Sequence, residues 1–269
     1  MDYQDVEKSI VKKYRKTIWV RFIRAINDYH LIEENDKLMV CISGGKDSML
    51  LAKCIEELSR HSKIKFTAEY VVMNPGYKEE NLELLKKNLQ LLNIKASIFN
   101  SDIFEVVSKI AKESPCYLCA RMRRGVLYSK AKELGCNKIV LGHHFNDVIE
   151  TIMLNILYAG EYKTMLPKLK SVNFEGIELI RPFYYVHEDD IKSWAKYNNL
   201  QFLNCACSVT SGEVSSKRKE VKNLIKDLKE INPNVDINIL RSSENVNIDS
   251  ILGYKNNGQK VSFLDEYDK

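Results

Sequence analysis

The sequence predicts an α/β fold: a doubly wound, parallel, five-stranded sheet with helices on both faces, an N-terminal helix and a helical C-terminal region. Short apolar runs of strand length alternate with amphipathic helical segments between residues 38 and 180. Such alternation is typical of βαβ units that build a parallel sheet. The chain has 269 residues, which is enough to bury a core without disulfide bonds.

Five apolar segments give the predicted strands. The first, 38–42, is a continuous apolar run of the kind that a parallel sheet buries on both faces. The other strands are expected at 66–73, 96–99, 138–141 and 177–180. Apolar residues at helical spacing predict helices at 48–58, 79–92, 102–111, 119–134, 147–157, 187–198 and 216–230.

The N-terminal segment 5–30 reads as a basic amphipathic helix. Apolar side chains recur at helical spacing from Val6 to Ile26, while Lys and Arg residues crowd 12–24. These cations fit either a solvated helix face or a surface for nucleic-acid phosphates. We therefore divide the chain into an N-terminal helix (1–34), an α/β domain (35–215) and a C-terminal helix with a polar tail (216–269). The tail from residue 241 is expected to be weakly ordered or peripheral.

The composition argues against a membrane-spanning or secreted protein. No apolar run approaches the length of a membrane span, and the N-terminus lacks the features of a signal peptide. We therefore expect a cytoplasmic protein without a membrane partner. The net charge of +5 allows a polyanionic partner without requiring one. The seven cysteines are an odd number, and in a reducing compartment they favour metal or catalytic roles over a disulfide framework.

A glycine-containing loop follows the first predicted strand and opens a helix. Two glycines allow a sharp turn and a close approach to a ligand, and the helix N-terminus attracts an anion. Lys46 adds a cation, whereas Asp47 would repel a phosphate unless a magnesium ion lies between them. A Walker A loop is excluded because Val40 occupies the position of its first glycine. A plain glycine turn is the alternative, but it needs no Lys, Asp and Ser together. The loop consists of Ser43, Gly44, Gly45, Lys46, Asp47 and Ser48.

Four of the seven cysteines lie in two close pairs. Cys116 and Cys119 form a C-x-x-C beside a helix start, and Cys205 and Cys207 follow much later. Three interpretations stay open: a redox pair, a four-ligand zinc site, and an iron–sulfur cluster on three thiolates with one open iron. The remaining cysteines lie in apolar segments and are expected in the core: Cys41, Cys54 and Cys136.

These motifs resemble those of a known enzyme family. The hexapeptide 43–48 is similar to the signature of the PP-loop ATP pyrophosphatases, which have an adenine nucleotide alpha hydrolase-like fold and cleave ATP between the α and β phosphates. The segment 116–128, with its C-x-x-C and arginine cluster, resembles the tRNA 2-thiocytidine synthetase family (TtcA) of that superfamily. So do 14–48, 141–151 and 181–190, and the resemblance covers roughly residues 14–230.

The resemblance implies that the chain binds ATP and Mg²⁺. Lys46 would act as an electrostatic catalyst that stabilises the departing pyrophosphate. The two adjacent histidines have an alternative role: His143 or His144 can instead pack against or cap its own loop. The implied nucleotide contacts are Ser43, Gly44, Gly45, Lys46, Asp47, Ser48, Met73, Gly142, His143 and Asp147.

By the same resemblance, Cys116, Cys119 and Cys207 are catalytic residues and the metal ligands of a 4Fe-4S cluster. The cluster would deliver sulfur to C2 of a pyrimidine, a cytidine in a tRNA anticodon loop, after the base has been adenylated. The implied partners are tRNA and a sulfur donor such as a cysteine desulfurase, and a homodimer is compatible with the sequence.

Three arginines one turn beyond the C-x-x-C are the predicted RNA contacts: Arg121, Arg123 and Arg124. Arginine suits bidentate recognition of phosphate, so contact with RNA or ATP phosphates is expected. A solvated helix face with salt bridges is the alternative. Further basic clusters at 12–24 and 217–226 extend the predicted tRNA surface.

The chain departs from the family pattern at several points. Cys205-Ala206-Cys207 stands where the family has C-x-x-C, and either cysteine could be the third ligand. Asn146 occupies a position that is usually Asp, 209–216 resembles an insertion, and the loop at 73–77 is short. Two other functions therefore stay open: an amine ligase similar to lysidine synthetase, and a non-catalytic nucleotide-binding protein with structural zinc.

Overall fold

The computed structural model describes residues 2–110, 115–203, 213–265 and 267. Its main sheet has six strands in the order β3-β2-β1-β4-β6-β5. The strands are Lys37–Ile42 (β1), Thr67–Asn74 (β2), Ser97–Asn100 (β3), Lys138–Val140 (β4), Lys168–Lys170 (β5) and Glu178–Ile180 (β6). A separate hairpin pairs Gly253–Asn256 (β7) with Gln259–Ser262 (β8).

Helices alternate with the strands along the chain. They are Tyr3–Val11 (α1), Val20–Asp28 (α2), Lys46–His61 (α3), Glu79–Leu91 (α4), Ile103–Ile110 (α5), Pro115–Glu133 (α6), Phe145–Leu154 (α7), Glu188–Tyr197 (α8), Glu213–Ile231 (α9) and Val235–Ser242 (α10). Two π-helical turns, Arg15–Trp19 and Asn155–Ala159, precede α2 and follow α7, and short 3₁₀ turns occur at Ile248–Ser250 and Phe263–Asp265. No helix in the described part of the chain is long and apolar enough to cross a membrane.

The predicted α/β fold with a parallel sheet is confirmed. β1 pairs in parallel with β2 on one side and β4 on the other, and β6 continues the parallel order. The structure adds a sixth strand, β5, which runs antiparallel to β6 at the edge. Its sequence, Lys-Leu-Lys, has only one apolar residue, so neither length nor pattern marked it as a strand. Because the chain leaves β1 toward β2 and later returns to β4, the crevice at their carboxyl ends is the expected ligand site.

The predicted N-terminal helix is interrupted. Its buried apolar residues Ile10, Tyr14, Ile18, Phe22 and Ile26 follow one another at steps of four. Steps of four exceed the 3.6 residues of an α-helical turn, so a regular helix would rotate the last residue away from the first. The π-helical turn is wider and returns them to one face. These residues belong to the same apolar core as β1 and α3, and the three-part division of the chain stays a prediction.

The polar tail contains regular structure at the surface. β7 and β8 are joined through Asn257 and Gly258, which both have positive φ, of 49° and 82°. Asn-Gly is a strong signal for a two-residue hairpin turn, so the sequence carried this information. Large apolar side chains beside the hairpin, such as Leu252 and Leu264, remain exposed.

Candidate nucleotide-binding site

The predicted phosphate loop joins β1 to α3 and is held by its own hydrogen bonds. The backbone N–H of Ser43 donates to Oγ of Ser48 (3.1 Å), and that hydroxyl donates to the carbonyl of Gly45 (3.0 Å). Gly44 has φ of +85°, and a Cβ there would lie 2.6 Å from Cδ1 of Leu203. Only glycine therefore fits. The loop presents the unpaired N–H groups of the first turn of α3, which favour an anion.

The loop after β4 lies directly against the phosphate loop. A Cβ on Gly142 would be 3.2 Å from the carbonyl carbon of Asp47 and 3.2 Å from the backbone nitrogen of Ser48. Both neighbours are backbone atoms, so the close approach depends on glycine. The carboxyl ends of β1 and β4 thus meet at one place, as the topology predicts.

Charged side chains surround the start of α3. Lys46 Nζ lies 3.2 Å from Asp47 and 3.3 Å from Oε1 of Glu188. Asp47 Oδ1 is buried and accepts no hydrogen bond among the described residues; Lys46 donates to Oδ2, and its Nζ also lies 3.2 Å from Oδ1 as an ion pair. A buried carboxylate oxygen without a donor, next to an anion site, is a suitable ligand for a hard divalent cation.

The two adjacent histidines have different roles. His144 caps α7: its Nδ1 accepts from the N–H of Asp147 (3.4 Å), and the Asp147 carboxylate accepts from the N–H of His144 (3.0 Å). His143 faces the cavity, and its buried Nδ1 has no partner among the described residues. Burial lowers the pKa of His143 to about 4, so it is a neutral hydrogen-bonding group at pH 7.

Helix α9 brings a cation to the acids of α7. Arg218 donates from Nη2 to Asp147 (2.8 Å) and from Nε to Glu150 (2.8 Å). Burial opposes the charged form of Asp147, but the nearby His144 and Arg218 outweigh it and lower the pKa of that carboxyl. The sequence predicts that the basic cluster 217–226 contacts RNA, whereas Arg218 in that cluster is directed at these acids.

Glu188, the first residue of α8, was also missed. Its Oε2 accepts from Lys222 (2.5 Å) and Lys192 (2.9 Å), while Oε1 faces Lys46. Burial opposes the charged form, but the hydrogen bonds from these lysines lower the pKa of Glu188 to about 2. Asn146, the departure from the family pattern, accepts a hydrogen bond from the backbone N–H of Glu188 (2.9 Å). This hydrogen bond needs only an acceptor oxygen, which the side-chain amide of Asn146 supplies.

A cavity of about 440 Å³ opens over the carboxyl ends of β1, β4 and β6. Several predicted nucleotide contacts line it, and so do two of the predicted RNA contacts, Arg123 and Arg124. Arg121 is exposed and does not line it. The predicted nucleotide contacts in its wall are Ser43, Asp47, Ser48, Met73, Gly142, His143 and Asp147. Gly44, Gly45 and Lys46 complete the loop beside it.

Only some of the cysteines that were predicted as ligands lie within the described residues. Cys119 lies on α6 and packs with Met73 beside the cavity. Cys116 belongs to the first turn of the same helix, but its side chain lies outside what the structure describes, as do Cys205 and Cys207. The three predicted core cysteines are buried or half-buried, and burial raises the pKa of each thiol: Cys41, Cys54 and Cys136.

Comparison with known proteins points to the same chemistry. A family model for the PP-loop domain matches residues 15–210. Proteins named tRNA-cytidine(32) 2-sulfurtransferase are similar over most of the chain. The one from Geotalea uraniireducens is 36% identical over 226 residues, which cover 83% of this chain and 88% of that protein. The one from Syntrophotalea carbinolica is 35% identical and covers 97% of this chain and 94% of its own length.

Among solved structures, the U34-tRNA thiolase NcsA from Methanococcus maripaludis, determined with its [4Fe-4S] cluster, superposes with a TM-score of 0.69. The match covers 88% of this chain and 78% of that chain at 21% identity. At that identity the likeness establishes a shared fold.

Proposed function

The chain belongs to the PP-loop family and, within it, to the tRNA-cytidine(32) 2-sulfurtransferases, and on that premise we propose that it uses ATP to transfer sulfur to C2 of a tRNA cytidine. One observation carries the proposal: the phosphate loop and the helix that bears Cys119 border the same cavity. An ATP-activated base and a cysteine-bound sulfur source could therefore meet there.

The phosphate loop would bind the pyrophosphate part of ATP. Its helix-terminal N–H groups and Lys46 donate to the phosphate oxygens and stabilise the charge that develops on the leaving group. Asp47 Oδ1, which is buried and accepts no hydrogen bond among the described residues, would be a ligand for Mg²⁺. When bound, the ion would neutralise the pyrophosphate as it departs.

The reaction would proceed in two displacements. The C2 oxygen of the cytosine attacks the α phosphate, the bond to the β phosphate breaks, and pyrophosphate leaves. Sulfur then attacks C2, and AMP departs with the former C2 oxygen. Arg123 and Arg124 supply cations in the cavity wall, and neutral His143 offers a hydrogen bond without adding charge. A tRNA loop suits the site because its unstacked bases can enter a pocket.

The cysteines fit an iron–sulfur cluster by their chemistry. Thiolates are the usual ligands of such clusters, and Cys119 packs against the apolar cluster of Met73, a residue that lines the nucleotide cavity. Cys116, Cys119 and Cys207 would hold a 4Fe-4S cluster with one open iron, which supplies a position for sulfide. The sulfur would come from a donor such as a cysteine desulfurase, whose persulfide sulfur would be reduced to sulfide by two electrons from a cellular thiol.

The central test follows the products. With ATP, tRNA and a sulfide source, the chain is expected to release AMP and pyrophosphate and to form 2-thiocytidine, detected by mass spectrometry of digested tRNA. Lys46→Ala should abolish product formation and leave the unfolding midpoint unchanged, because Lys46 lies at the ligand and outside the apolar core. Release of ADP and phosphate would contradict the assignment.

Metal content tests the cluster. Protein purified without oxygen is expected to contain iron and sulfide, and Cys119→Ser should lose them. Cys136→Ser is the matched control, since Cys136 is buried in a separate apolar cluster and should keep the iron. Stoichiometric zinc without iron would favour a structural zinc site instead. An amine ligase would release pyrophosphate without any metal-bound cysteine.

A further inference from the structure

We propose that Glu188 is a positioning residue that holds the Lys46 ammonium at the mouth of the phosphate loop; the inference rests on the proposed function of that loop. Lys46 is the first residue of α3, and Glu188 is the first residue of α8. The two side chains meet across the site, with Nζ 3.3 Å from Oε1. Neither sequence spacing nor a motif places them together, so the contact is a property of the fold.

Glu188 is itself firmly fixed. Its side chain is 11% exposed, and its second oxygen accepts from Lys222 of α9 and Lys192 of its own helix. Its backbone N–H donates to Asn146 at the start of α7. The carboxylate is therefore bonded to α9 and to its own helix, and the backbone of Glu188 is bonded to α7, so the oxygen that faces Lys46 has little freedom to turn away.

The position of the Lys46 ammonium depends on which carboxylates it can pair with. A lysine side chain loses conformational entropy when it is ordered, and Glu188 orders Lys46 before a ligand arrives. Without Glu188, the remaining carboxylate for Lys46 among the described residues is its neighbour Asp47, at 3.2 Å. The ammonium, which already contacts both Asp47 oxygens at 3.2 Å, would then lose its attraction to Glu188 and settle against Asp47, on the oxygen that suits a cation.

Charge alone makes the opposite prediction. An acidic side chain near an anion site repels the anion, so its neutralisation should strengthen binding. If Glu188 acts by holding Lys46, its neutralisation should weaken binding instead. The direction of the effect therefore separates positioning from simple electrostatics.

The experiment measures pyrophosphate binding with Mg²⁺ by titration calorimetry on the full chain, which needs neither a cluster nor turnover. Glu188→Gln is expected to raise the Kd about fivefold. Asp189→Asn is the matched control: it removes the same charge from the next position of α8, where Asp189 is 91% exposed and pairs with Lys192 and not with Lys46. It should leave the Kd within twofold or lower it slightly. Glu188→Asp keeps the charge on a shorter side chain and should also weaken binding.

A double variant completes the test. In the Lys46→Met background, Glu188→Gln should no longer weaken binding, because the group on which it acts is gone. Tighter binding by Glu188→Gln in the normal background, or an equal loss with and without Lys46, would overturn the inference. If Glu188→Gln does not fold, Glu188→Asp decides alone: a Kd equal to that of the unaltered chain overturns it. Lys46→Met alone should weaken pyrophosphate binding. If it does not, the phosphate-loop assignment is refuted, and that result is distinguishable from failure of the inference about Glu188.

Discussion

The close approach of Gly142 to the phosphate loop leads to a quantitative prediction. In Gly142→Ala, the new methyl carbon would lie 3.2 Å from the carbonyl carbon of Asp47, 3.2 Å from the nitrogen of Ser48 and 3.3 Å from its Cα. These atoms belong to the first turn of α3 and cannot rotate away as a side chain would. The loop or the helix start must therefore shift by a few tenths of an ångström. Overpacking of this kind costs about 1–3 kcal/mol of folding free energy.

The same shift should impair binding. The N–H groups of the first turn of α3 and the Lys46 side chain are the predicted phosphate contacts, and displacement of both should raise the Kd for pyrophosphate about tenfold, equivalent to about 1.4 kcal/mol. Urea unfolding gives the stability, and titration calorimetry gives the Kd. Gly125→Ala is the matched control, because a Cβ there meets nothing within 4 Å.

The control should change stability in the opposite direction. Gly125 lies inside α6, where alanine is favoured over glycine by about 0.5–1 kcal/mol. Gly125→Ala is thus expected to stabilise the chain and to leave the Kd for pyrophosphate unchanged. If Gly142→Ala is as stable as the unaltered chain and binds pyrophosphate equally well, the backbone where the β4 loop meets α3 can adjust without cost. The predicted effect of the close contact would then be wrong.

Three further outcomes are expected. Arg123→Ala should weaken binding of both ATP and tRNA because Arg123 lines the cavity, whereas Arg121→Ala should weaken tRNA binding alone; filter binding measures both, and equal effects on ATP would contradict the placement. Salt titration should give a slope of log affinity against log salt of about −4 to −5 if six phosphates are neutralised, and the Arg121/Arg123/Arg124 triple Ala variant should flatten it. Burial lowers the pKa of His187 to about 4, so the unfolded chain binds the extra proton between pH 6.5 and 4 and stability falls as the pH drops through that window; His187→Gln should reduce this slope in urea unfolding, and an unchanged slope would contradict the shift. 

The sequence was sufficient for the parts of the fold that depend on local pattern. The continuous apolar run of β1, followed at once by two glycines and a helix, predicted the phosphate loop because strand, turn and helix signals are all local. The hairpin at Asn257 and Gly258 was equally local and was overlooked. β5 could not be found in this way, because Leu169 contributes one apolar residue and the strand exists only through its pairing with β6.

The ion pairs around the loop depend on tertiary neighbours, which no local pattern contains. Glu188 lies more than 140 residues from Lys46 in the chain, and only the packing of α8 against α3 brings them together. Their pairing could be inferred from sequence only by knowing which helix ends meet. The capping role of His144, by contrast, was among the sequence alternatives, because a cap needs only residues within one turn.

In helix α9 the sequence does indicate which basic residues face the domain and which face outward. Val221 and Ile225 are buried and mark the face that packs against the domain. Arg218 lies three residues before Val221 and Lys222 lies three residues before Ile225, so both are on or beside that face, and a cation there must find an acidic partner. Lys217, the residue just before Arg218, instead lies over the exposed ring of Tyr158. The basic cluster 217–226 is therefore divided: Arg218 and Lys222 pair with acids beside the phosphate loop, and its other cations are expected to contribute most to the salt dependence of tRNA binding.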